Sequence, residues 1–163
     1  MAKLLNEKRD IIYMNDPDDD IDFVTLHNIL YFIYIGVVNL PQTREDENEP
    51  LPQGYPDQPD PFLLYKAADK FLLSDLKQIC YVYLEDFTTP TNVAERLFHP
   101  ECQYYPELKK LYLEYTVANF NEVRDTEGWE RALCQEDEDE SPSVARYTSR
   151  LLFEISKRVK VSK

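Results

Sequence analysis

Three aspartates at alternate positions (Asp16, Asp18, Asp20), three cysteines (Cys80, Cys102, Cys134) and two histidines (His27, His99) are the side chains best suited to chemistry in this chain. The aspartate run matches the opening of a calcium-binding loop, whose sixth position needs glycine for a sharp turn and whose twelfth needs a bidentate carboxylate. Those positions hold Ile21 and His27. The run therefore reads as acids ahead of a helix, where they favour the positive end of its dipole. Two histidines and scattered cysteines do not make a zinc site. The sequence has no G-x-S-x-G, no glycine-rich phosphate loop, and no Cys–His or His–carboxylate cluster at usable spacing. The expectation is a non-enzyme with no cofactor, no metal and no catalytic residue.

What remains are elements that pack. In Asp18–Gly36 apolar residues at Phe23, Leu26, Leu30, Ile33 and Tyr34 recur at helical spacing, and Gly36 is the expected left-handed stop. In Phe62–Leu84 one helix carries Leu64, Ala67, Ala68 and Phe71, and a second carries Leu76, Ile79, Cys80 and Tyr83. Ser74 is a natural N-cap for the second. Ile11–Met14 reads as a short buried strand before the turn Asn15-Asp16-Pro17. Residues 39–61 hold six prolines and six acids against Arg44 alone, a composition that cannot offset ordering entropy, and are expected to form a mobile insert.

Thr89 with Pro90 signals the start of a further helix, ending near His99-Pro100. Pro106 opens the next, with Leu108, Leu111, Tyr112 and Tyr115 inward. Thr126 caps a short segment in which Trp129, Ala132 and Leu133 share a side. An acidic run, Glu136–Glu140, precedes a last helix begun by Ser141-Pro142. Its stripe is Val144, Tyr147, Leu151 and Ile155, and its tail is basic.

The 163 residues suit one domain, or one domain with an appendage. Twelve tyrosines against three glycines favour helices over a loop-rich or all-β fold. A net charge of -13 argues against nucleic-acid binding, which needs clustered Lys and Arg, and disfavours anionic membrane surfaces. The longest apolar run, Ile29–Val38, is about half of the ~20 residues of a membrane span. The opening residues carry no secretory signal, and an odd cysteine count implies no disulfide framework. An intracellular protein, cytoplasmic or nuclear, is expected.

The order and spelling of FVTLHNILYFIYIG and FLLYKAADKFLLSDLKQICYVYL resemble the BTB/POZ family. The stretch from TNVAERL to GWERAL, with Asn92, Leu108, Val123, Thr126 and Trp129 in matching places, resembles the helical three-box extension of speckle-type POZ proteins. The resemblance implies a mostly α fold with a minor β element: a partial BTB/POZ domain at 1–87, a three-box-like extension at 88–135, and an acidic linker with a C-terminal helix at 136–163. It implies a protein-interaction module that links a cullin-type ubiquitin-ligase scaffold to a protein substrate. Leu5-Asn6-Glu7 fits the family's apolar-x-Glu cullin motif, and Tyr81, Tyr104 and Tyr105 are candidate partner contacts.

Phe23, Leu30, Tyr34, Gly36, Ala68, Phe71, Leu76, Cys80 and Trp129 are the expected structural anchors. The family's opening helix and strand pair, which build its homodimer, have no counterpart, so the chain is expected to start late in the pattern and its oligomeric state stays open. Two alternatives stand beside this reading: a stand-alone adaptor subunit of the elongin C or S-phase kinase-associated type, and a module in transcriptional regulation.

Overall fold

The computed structural model describes residues 21–41, 54–134 and 142–161. Among the described residues the chain is α-helical with one 3-10 turn and no strand, a mostly α fold. The strand expected at Ile11–Met14 lies outside them. Two compact units, Met1–Lys77 and Gln78–Lys163, divide the chain, and the division falls inside a helix.

In the first unit, α1 (Phe23–Ile35) begins behind Asp22, whose carboxylate accepts from the Thr25 amide at 2.6 Å. It stops at Gly36, φ 80°, where the glycine amide donates to the Phe32 carbonyl at 2.8 Å. That left-handed geometry is free of strain only without a Cβ. Helix α2 (Pro61–Lys70) starts with proline at its first position, and Asp60 accepts from the Phe62 and Leu63 amides at 2.8 and 2.9 Å. Its buried residues are Leu64, Tyr65, Ala67 and Ala68.

Phe71 departs from the expected inward stripe. It is the residue that closes α2, the helical period ends before it, and its ring is exposed. The chain then turns through Leu72, φ 58°, an exposed leucine in the left-handed region. Of the expected mobile insert, residues 42–53 lie outside the described ones. Its two ends are packed, with Asn39, Leu40, Pro56 and Pro59 all buried.

Helix α3 (Ser74–Asp86) spans the division, and Ser74 is its first residue. Its buried line is Leu76, Cys80 and Leu84 at i, i+4, i+8. Ile79, expected inward, sits about 100° from the middle of that line at 3.6 residues per turn, and is exposed.

The second unit continues with α4 (Val93–Phe98), the 3-10 turn Pro100–Tyr104, α5 (Pro106–Ala118), α6 (Phe120–Val123), α7 (Glu127–Cys134) and α8 (Pro142–Val161). Helix α4 begins later than Thr89-Pro90 suggests, because Thr89–Asn92 closes a turn of its own. The Asn92 and Val93 amides both donate to the Thr89 carbonyl, and Asn92 Oδ1 accepts from the Thr89 amide at 2.9 Å. Val93, Ala94, Leu97 and Phe98 are all buried, and α5, α7 and α8 pack around them.

The inward face of α5 is Leu108, Tyr112, Leu113 and Thr116; Leu111 and Tyr115 are half-buried at its edge. Trp129 of α7 is 7% exposed, edge-on to Phe98 at 5.5 Å and to Phe120 at 5.6 Å between centroids. Thr126 starts α7 by accepting from the Trp129 and Glu130 amides through its carbonyl. Leu133, expected beside Trp129, is exposed, since Gly128, Trp129 and Ala132 define a buried side about 100° away from it. Tyr147, Leu151 and Ile155 of α8 are buried, and the Tyr147 hydroxyl donates to the Leu97 carbonyl at 3.0 Å.

Candidate functional site

In α1 nearly every residue is apolar, so a polar one decides which side faces inward. Asn28 is fully buried and makes three side-chain hydrogen bonds. Its Nδ2 donates to the Val24 carbonyl at 2.9 Å and to the Asp57 carbonyl at 2.8 Å, while its Oδ1 accepts from the Asn39 amide at 3.2 Å. Asn39 Nδ2 in turn donates to the Pro56 carbonyl at 2.8 Å. Two separate segments are thereby tied to the side of α1 that carries Thr25, Asn28 and Ile29. A buried amide left without these partners would cost roughly 1–3 kcal/mol, so α1 is locked in this rotation.

The consequence reverses the sequence expectation for three anchors. Phe23, Leu30 and Tyr34 face away from that polar knot and are 77%, 46% and 82% exposed. With His27, whose ring lies 5.7 Å from that of Phe23, they line one side at i, i+4, i+7 and i+11. Ile33, Ile35 and Val37 extend the exposed apolar surface around them. Contiguous apolar exposure of this kind marks places where proteins bind one another.

The other sequence candidates separate. Gly36, Ala68, Leu76, Cys80 and Trp129 occupy the positions described above, the last four in buried surroundings. Leu5 and Glu7, like the Asp16–Asp20 run, lie outside the described residues. Tyr104 projects from the 3-10 turn, 72% exposed, whereas Tyr105 and Tyr81 are half-buried. Burial raises the Tyr81 phenol above its ordinary range, and the charges of Glu85, Glu107 and Glu114 add to that shift. The three tyrosines therefore do not share one environment.

Neither Cys80 nor Cys102 is an activated nucleophile. Burial pushes the Cys80 thiol up to about 12. It pushes Cys102 up to about 11, against the opposing effects of a hydrogen bond with Tyr147 and the Lys109 charge. Tyr147 is raised as well, by burial first and then by Cys102. Protonated thiols of this kind are inert. Among the described residues no group of three His, Cys, Asp or Glu side chains could hold a metal, and no helix is long and apolar enough to cross a membrane.

Two polar devices were missed in the sequence. Asn28 with Asn39 is one. The other is Arg96, whose Nη1 donates to the Leu84 and Phe87 carbonyls at 3.3 Å and to Thr88 Oγ1 at 3.2 Å. Its guanidinium also lies over the Tyr112 ring at 5.9 Å. Asn92 Nδ2 donates to the same Phe87 carbonyl at 2.8 Å. Arg96 and Asn92 together satisfy the Leu84 and Phe87 carbonyls at and just beyond the end of α3. A polar residue at an inward helical position is the signal that could have found both.

Two curated relatives are similar in sequence. Protein maternal effect lethal 26 of Caenorhabditis elegans is 29% identical over 126 residues, covering 77% of this chain and 27% of the relative. A BTB/POZ domain-containing protein of Arabidopsis thaliana is 38% identical over 64 residues, covering 38% of this chain and 20% of the relative. The chain thus spans about a quarter or less of the relatives it matches. No family model and no solved structure matches. The likeness to a BTB/POZ protein points to an interaction module in general terms.

Proposed function

We propose that this chain is a non-enzymatic adaptor that joins a cullin-type ubiquitin-ligase scaffold to a protein substrate inside the cell. The observation that carries the reading is the outward side of α1, where Phe23, Leu30, Ile33 and Tyr34 stand in solvent while the polar Asn28 is buried. A helix rotated this way presents large apolar anchors to a partner. Aromatic anchors of that kind contribute most of the energy at protein interfaces, with hot spots of roughly 2 kcal/mol or more. The sequence resemblance to speckle-type POZ proteins supports the scaffold as the partner, and Leu5 and Glu7 are further proposed contacts.

The test is direct binding of the full chain to a cullin N-terminal domain on a sensor surface. Phe23→Glu with Tyr34→Glu should weaken binding by about a thousandfold, the loss of two such anchors at about 1.4 kcal/mol per decade, with the melting temperature unchanged. Leu5→Asp and Glu7→Lys should do the same if the front motif takes part. Absence of binding by the wild-type chain overturns the cullin reading, and gel filtration of that mixture reports whether the adaptor acts as a monomer.

A further inference from the structure

The outward side of α8 carries a feature that the adaptor reading does not use. Arg146, Arg150, Phe153 and Lys157 lie at i, i+4, i+7 and i+11, all exposed, on the side away from the buried Tyr147, Leu151 and Ile155. Phe153 is 62% exposed, and Lys157 Nζ sits over its ring at 4.3 Å. Glu154, beside the stripe, pairs with Arg158 at 2.6 Å. Neither Arg146 nor Arg150 forms an ion pair among the described residues. At 1.5 Å per residue the stripe is about 16 Å long and its two arginines are about 6 Å apart.

We propose that this face of α8 docks an acidic segment of another protein, with carboxylates one helical turn apart on Arg146 and Arg150 and an apolar side chain on Phe153. Guanidinium forks match carboxylates in a bidentate way, and a neighbouring exposed ring supplies the apolar contact. The charge of the whole chain selects the occupant. At -13 it repels long polyanions such as nucleic acid and the surface of anionic membranes. Fields are screened within about 8 Å at physiological salt, so the local stripe governs only a short segment laid directly on it. The proposal stands independently of the cullin reading, because it uses a different helix in the other unit.

The test is fluorescence anisotropy with the full chain and a labelled short peptide of glutamate and leucine, against the same peptide with glutamine for glutamate. Binding of the acidic peptide alone, weakened about tenfold or more by Arg146→Glu with Arg150→Glu, and reduced by Phe153→Ala and by added salt, supports the proposal. The stripe is exposed, so the variants should keep their melting temperature; Arg150→Gln gives a milder second reading if the charge reversal alters it. No binding, or binding indifferent to these substitutions, overturns the proposal. So does preferential binding of single-stranded oligonucleotide or of phosphatidylserine vesicles through the same residues. Self-association in sedimentation that these variants abolish would identify a second copy as occupant, and would also overturn it. Cullin binding measured in parallel should be unaffected by Phe153→Ala.

Discussion

The Asn39 amide donates to the Asn28 side-chain oxygen at 3.2 Å, a bond between two buried asparagines that holds the segment after α1 against the helix it has just left. Because the same Asn28 side chain also holds the Asp57 carbonyl, one amide group carries both ends of the stretch between them. Asn28→Ala should therefore cost about 1–3 kcal/mol, since it strands the buried Asn39 amide and releases the part-buried Asp57 carbonyl. Urea unfolding would measure it, and a midpoint within error of wild type would refute the locking role.

Trp129→Ala removes the ring that Phe98 and Phe120 meet edge-on, and should lower stability by about 3–5 kcal/mol. Trp129→Phe should recover part of the loss. The same unfolding curves decide, with the two variants compared side by side.

Gly128 lies where α7 approaches α4, and a Cβ there would stand 3.2 Å from the Thr91 carbonyl oxygen. A branched side chain cannot be relieved by a rotamer change against backbone. Gly128→Val should destabilise by about 1–3 kcal/mol, read as a drop in melting temperature.

Leu72 holds φ 58° with its side chain in solvent. Left-handed geometry costs a residue with a Cβ roughly 1–2 kcal/mol, and little apolar burial is at stake here. Leu72→Gly should raise the melting temperature, an unusual direction for removing a large apolar residue. A lower melting temperature would show that Leu72 supports the fold in spite of its exposure.

The buried thiols predict an alkaline weakness. Cys80 and Cys102 rise from 9.0 to about 12 and about 11 in the folded chain. Below pH 9 both states keep the proton and stability is unaffected. Above it the unfolded chain releases protons that the folded one retains, so stability falls as pH climbs through about 9 to 12. Cys80→Ala should reduce the slope of that fall, measured by unfolding at a series of alkaline pH values. At neutral pH a thiol reagent should label Cys80 and Cys102 only when the chain unfolds.

Local signals carried a good part of this fold in the sequence. Gly36 ends α1, Pro106 opens α5, Pro142 opens α8, and Tyr147, Leu151 and Ile155 form a buried stripe, all because caps and periodicity act over a few residues. The start of α4 slipped because Asn92 makes a turn with Thr89, where a helical cap was expected. The rotation of α1 was not legible at all. Apolar residues surround that helix, so their spacing selects no face, and the choice is made by bonds from Asn28 to residues 11 and 29 positions away. Phe23, Leu30 and Tyr34, expected as interior anchors, are left outside for the same reason.

That outward-facing α1 has a bearing on how the chain fares when made in excess. A polypeptide that leaves Phe23, Leu30 and Tyr34 bare on one side of a helix is a natural client for chaperones and for the degradation machinery. Under the adaptor proposal its steady level should follow the supply of whatever covers Phe23 and Tyr34, so that abundance becomes a readout of assembly, with stoichiometry policed by the surface itself.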